Sequence, residues 1–156
     1  MEEKKNLAAT CGLFCGDCPV YLAPRIGDRE KIADIAKAEE LLETDVICDG
    51  CLSDRVFGPC QDCSQHGFRF CAAEHGVTWC FECDQFPCDR LEQFLEVHVV
   101  NGISHHSRVI EELKDMKKHG PEAWVIRREA ESRCSACKQQ VYWSDRTCPS
   151  CGAFIR

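Results

Sequence analysis

Fifteen of the 156 residues are cysteines, and their spacing is where this chain could do chemistry. Near the C-terminus, Cys134-x2-Cys137 and Cys148-x2-Cys151 form two C-x-x-C knuckles separated by ten residues. Each knuckle can turn two thiolates toward one ion, and four thiolates make the closed tetrahedral set of a structural zinc. Gly152 follows the second knuckle, where the backbone needs a left-handed turn. Because protein fills all four positions, the pattern predicts a metal that holds structure and leaves no open site for catalysis. Tyr142, Trp143 and Phe154 are expected to cover the ribbon's own small core rather than to stack on bases.

The stretch from Cys48 to Cys88 carries eight more cysteines, at 48, 51, 60, 63, 71, 80, 83 and 88. Cys48-x2-Cys51-x8-Cys60-x2-Cys63 has the spacing of a second four-cysteine zinc site. Cys11, Cys15 and Cys18, in C-x3-C-x2-C spacing, join Cys71, Cys80, Cys83 and Cys88 to make seven further sulfurs. Their missing ligand is expected from the Cys80–Cys88 segment. His75 could supply an eighth donor or stand beside the site as a surface residue, and Cys71 could instead replace Cys60 in the central site. The odd count leaves room for one free thiol, with Cys71 and Cys88 the candidates. The first three cysteines also have the spacing of a radical S-adenosylmethionine cluster, but the strand-helix repeats that such an enzyme needs do not follow. An ordinary [4Fe–4S] cluster at Cys11, Cys15 and Cys18, beside zinc elsewhere, stays open as the alternative, because thiolates alone do not choose between the two.

No Gly-rich phosphate loop, HExxH or GxSxG is present. His105-His106, between Ser104 and Ser107, reads as a solvated helix cap rather than a site. The formal net charge is −7, and three four-thiolate zincs would carry it to about −13. Such a body repels phosphate backbones, which disfavours nucleic acid and leaves protein as the expected partner class. From Arg127 onward six basic residues face three acidic ones, a small excess that bound zinc would largely remove. No stretch approaches a membrane span or a secretory signal, so a reducing cytoplasmic setting with few disulfides is expected.

The elements that must position these sulfurs are modest. Residues 1–10 read as a charged leader, and Pro19 and Pro24 argue against a continuous helix after Cys18. A helix is predicted over 28–43, with Asp28 as N-cap and Ile32, Ile35, Ala36 and Leu42 near one face. A second starts at a capping box of Asp89 and Glu92, buries Leu91, Phe94, Leu95 and His98, and stops at Asn101-Gly102. A third covers roughly 104–118 with Val109, Ile110, Leu113 and Met116 inward. Gly120-Pro121 breaks it and starts a fourth, with Trp124 and Val125 facing in. The fold class expected is a small metal-stabilised α+β protein. An irregular cysteine-rich zinc-binding domain over 1–130, with three to four helices, is followed by a zinc ribbon of short antiparallel hairpins over 131–156.

Four phrases carry a family likeness: CGLFCGDCPVYLA, CDGC, CAAEHGVTWCFECDQFPCDRL and EELKDMKKHGPEAW. Together they resemble the prokaryotic family catalogued as domain of unknown function 3795, whose members often end in a zinc ribbon with a tryptophan and an aspartate between its knuckles. Trp143 and Asp145 stand at those positions here. The resemblance implies metal binding through the cysteines and implies no activity. Members commonly carry a basic stretch before the cysteine matching Cys71, where this chain has HGFRF, so any partner at that surface is expected to differ.

Overall fold

In the computed structural model, which describes residues 2–155, one helical turn, α1 (Glu2–Lys5), precedes six further helices. These are α2 (Pro19–Ile26), α3 (Arg29–Ala38), α4 (Phe68–Glu74), α5 (Asp89–Phe94), α6 (Val109–His119) and α7 (Pro121–Glu131). An antiparallel hairpin, β1 (Val99–Val100) paired with β2 (Ile103–Ser104), lies between α5 and α6. The mixed class expected is therefore present, with six helices where three to four were predicted.

The two extra helices are α2 and α4. Cys18 is extended and caps α2, which puts Pro19 at the first helical position, where a missing N–H costs nothing. Pro24 removes one hydrogen bond only, since Gly27 ends the helix three residues later with φ 71°. Burial of Leu22 and Ala23 outweighs that loss. In α4, Phe68 and Ala72 share the buried side at a spacing of four.

Packing centres on α6. Its Met116 joins Leu7, Ala8, Phe14, Trp124 and Val125 in one cluster, while Val109 and Leu113 join Ala9, Cys11, Phe68 and Leu91 in a second. The expected leader is therefore half core, and Lys4–Glu129 (2.8 Å) and Lys5–Glu122 (3.3 Å) tie α1 to α7. Gly12, at φ 91°, lies so close to α6 that a Cβ would fall 2.7 Å from the Val109 carbonyl oxygen and 2.7 Å from Leu113 Cγ. This contact seats the Cys11–Cys18 loop on the helix.

Asp28 caps α3 as expected, accepting from the Lys31 N–H at 3.0 Å. The helix ends at Ala38, and Leu42 lies outside it, 70% exposed. At α5 the N-cap is Cys88, with no side-chain capping bond, and the helix stops at Phe94. Val97, Val99 and Val100, expected to be helical, are β-branched, and Val99–Val100 form the first strand of the hairpin instead. Asn101 (φ 52°) and Gly102 (φ 71°) are its two-residue turn, both left-handed. This overturns the helix predicted from 104, because α6 starts only at Val109. It also overturns the solvated-cap reading of His105-His106, since His106 is 7% exposed and His105 half-buried.

The ribbon contains two short antiparallel bridges, Arg133 with Gln140 and Thr147 with Phe154. Its aromatics behave differently from the expectation. The Tyr142 hydroxyl donates to Asp28 Oδ2 at 2.7 Å, and its ring packs on Leu22 and Ala23. The Trp143 backbone N–H donates to the Asp17 carbonyl at 3.1 Å, while its ring stacks on His105. Phe154 is 70% exposed and covers nothing.

A buried carboxylate closes the helical body. Glu112 accepts from Trp124 Nε1 at 2.7 Å and lies 3.2 to 3.6 Å from Arg108, Arg127 and Arg128. Replacing Glu112 with Ala strands the buried Trp124 indole N–H and takes one carboxylate partner from Arg127 and Arg128, which keep Asp115, Asp17 and Glu131, at an expected cost of about 2–3 kcal/mol. Urea unfolding of the metal-loaded protein, followed by tryptophan fluorescence, measures it.

Candidate metal centre

The ribbon sulfurs converge. Cys134 Sγ lies 3.7 Å from Cys151 Sγ and Cys137 Sγ 3.5 Å from Cys148 Sγ, and all four sit within 4.8 Å of one another. Metal–sulfur bonds of about 2.3 Å in a tetrahedron set sulfur separations of about 3.8 Å. The two knuckles share one local geometry. The Lys138 N–H donates to the Cys134 carbonyl at 2.9 Å and the Gly152 N–H to the Cys148 carbonyl at 2.8 Å. Both residues are left-handed, at φ 64° and 73°, so Gly152 does what its position predicts and Lys138 does it with a side chain. Backbone N–H groups of Cys137 and Ala136 pull the Cys134 thiol down to about 6, which favours the thiolate that binds metal. These four cysteines could hold a metal ion, and protein ligands then fill a tetrahedral shell.

The other eleven cysteines gather in the body without closing as tightly. Three 3₁₀ turns, Cys15–Asp17, Gly58–Ser64 and Cys80–Glu82, each carry or border a C-x-x-C pair. The Cys18 N–H donates to the Cys15 carbonyl at 3.1 Å and the Cys83 N–H to the Cys80 carbonyl at 3.2 Å. Burial pushes the Cys15 thiol well up, and thiolates at Cys51, Cys18 and Cys48 push it further. Cys18 is raised to about 11 by burial, with Cys48 and Asp17 adding to it. Cys60 is raised to about 12 by burial, then by Cys18, Cys48 and Cys51. Cys15, Cys18, Cys48, Cys51 and Cys60 thus share one neighbourhood.

A second neighbourhood surrounds Cys80, raised to about 12 by burial and then by Cys88, Cys71, Cys83 and Cys63. Cys71, Cys80, Cys83 and Cys88 line a small cavity of about 40 Å³ walled by Phe68 and Leu91. Cys11 stands between the two groups, raised by burial and by Cys51, Cys80 and Cys63. The first three cysteines therefore face the Cys48–Cys63 segment, and Cys11 faces Cys80 as well. His75 is exposed, its Nδ1 3.8 Å from Cys71 Sγ and 2.8 Å from the Cys71 carbonyl oxygen.

Among the described residues, one other group brings three donor atoms within 4.8 Å of one another, namely His98, His105 and His106. The signal for it was the Asn101-Gly102 dipeptide, read as a helix stop when it is a hairpin turn.

The site and fold define a cysteine-rich protein of short helices and hairpins with a C-terminal four-cysteine cluster able to hold metal. The family model described as "Protein of unknown function (DUF3795)" matches residues 7–93, and the chain belongs to that family. The match takes in all eleven body cysteines, while the ribbon and the histidine hairpin lie beyond it. No curated protein and no solved structure matches the chain.

Substituting Cys148 with Ser is expected to remove one equivalent of bound metal and leave the remainder in place. Elemental analysis of the purified variant under reducing conditions checks this, and unchanged stoichiometry would take the ribbon out of the metal count.

Proposed function

We propose that this protein is a zinc-binding protein whose metals are mainly structural and which serves as a protein-interaction module in a reducing, cytoplasmic setting. The observation that carries the proposal is the ribbon's four sulfurs, spaced for one tetrahedral ion with every ligand supplied by the chain. Zinc is the favoured ion because four thiolates in tetrahedral arrangement suit it and a closed shell has no need of redox chemistry. The body cysteines are proposed as the ligands of about two more ions, drawn from the neighbourhoods around Cys15–Cys60 and around Cys80. The [4Fe–4S] alternative at Cys11, Cys15 and Cys18 gains no support from this geometry.

The interaction role rests on rigid turns held by metal and on an acidic surface that turns nucleic acid away. No helix among the described residues is long and apolar enough to cross a membrane.

Anaerobic purification followed by metal analysis and a visible spectrum tests the metal reading. A colourless protein with about three zinc ions is expected; a brown one with iron and acid-labile sulfide overturns it. For the partner reading, the tagged zinc-loaded chain should retain a protein under reducing conditions and lose it when Cys134 and Cys148 are both changed to Ser. Failure to retain any protein counts against the module.

A further inference from the structure

The hairpin and the residues flanking it hold three histidines in an arrangement that packing alone does not explain. In the register Val99 with Ser104 and Val100 with Ile103, the next pair along the ladder is His98 with His105. The His105 N–H donates to the His98 carbonyl at 3.0 Å, which confirms that pairing. His106 follows directly. The ring centroids of His98, His105 and His106 are 5.4, 5.5 and 5.2 Å apart in the three pairings, and one nitrogen of each ring lies within 4.8 Å of the others. Three imidazoles on one tetrahedral ion, with metal–nitrogen bonds of about 2.0–2.1 Å, place their ring centroids about 5 Å apart.

Two aromatic rings fix this geometry from outside. Trp143, carried by the ribbon, stacks on His105 at 4.1 Å and 13°. Phe94, at the end of α5, stacks on His106 at 3.7 Å and 20°. A simple aromatic cluster would account for the stacking. It would not account for Nδ1 of His105 and Nδ1 of His106, both buried and without a hydrogen-bond partner, an arrangement that costs stability unless something binds them. Arg128, whose charge acts on His105, is itself offset by Asp17, Glu112 and Glu131.

We propose that His98, His105 and His106 form a second kind of metal site in this protein, taking one divalent transition-metal ion such as zinc through three imidazole nitrogens. It is separate in ligand chemistry from the thiolate sites. With three protein donors it leaves one coordination position for water or an exogenous ligand, where the ribbon leaves none.

Zinc-replete protein, its thiolate sites already filled, is titrated calorimetrically with further Zn²⁺ beside the His98→Gln, His105→Gln and His119→Gln variants. Wild type and His119→Gln should each take up one additional equivalent, with affinity falling at least tenfold in His98→Gln and His105→Gln. His98 is exposed, so its variant tests the site without disturbing the core. In parallel, ¹⁵N spectra of histidine-labelled wild type should show ring nitrogens of three histidines shifting together as zinc is added. The proposal fails if wild type binds no further equivalent, if His98→Gln binds as wild type does, or if the shifting nitrogens belong to other histidines.

Discussion

Gathering eleven thiols into one small body sets the constraint on which the rest of this structure depends. Each buried sulfur is harder to ionise than in water, and each thiolate makes its neighbours harder still. Cys11 and Cys15 feel both effects strongly. Such a cluster has two stable states. The thiols stay protonated and act as small apolar groups, or cations enter and convert mutual repulsion into ligation. The apolar clusters around α6 are small and use the cysteines themselves as packing surface, with Cys51, Cys63, Cys80 and Cys88 lying against Leu91 and Leu113. A chain built this way gains both its core and its charge balance from whatever fills the sulfur sites.

The ribbon shows the same constraint resolved at short range. Its two knuckles close on matching hydrogen bonds, from the Lys138 and Gly152 N–H groups, and the neighbouring N–H groups of Cys137 and Ala136 favour the thiolate at Cys134. Having solved its own problem, the ribbon can use its aromatics elsewhere. Tyr142 reaches Asp28, and Arg146 Nε donates to the Asn101 carbonyl at 2.6 Å. Asp28 therefore serves twice, capping α3 with one oxygen and docking the ribbon with the other.

How much of this was legible in the sequence follows from the range of each interaction. The Asp28 cap, Pro121 at the head of α7, the left-handed Gly152 and the four-cysteine ribbon are all set by residues within a few positions of one another, and local rules find them. The proline rule failed at α2 because it treats a breaker by type, whereas Pro19 sits where no N–H is needed. Asn101-Gly102 carries both meanings, stop and turn, and only the β-branched residues beside it favour the turn. The grouping of the body cysteines was least legible. Cys11 faces Cys51, Cys63 and Cys80, contacts that span forty to seventy positions and that no spacing encodes.

The histidine hairpin shows why those failures matter together. Misreading one dipeptide hid the register, the register hid the pairing of His98 with His105, and the pairing hid a three-donor group. Its position is informative as well. Trp143 of the ribbon stacks on His105, while Trp143 N–H binds the Asp17 carbonyl in the loop that carries Cys15 and Cys18. One residue thus touches the imidazole group and the backbone of the cysteine-rich body while being held between the ribbon's knuckles. The cysteine loop and the histidine group, far apart in sequence, are joined through a single residue, its indole on one and its backbone N–H on the other.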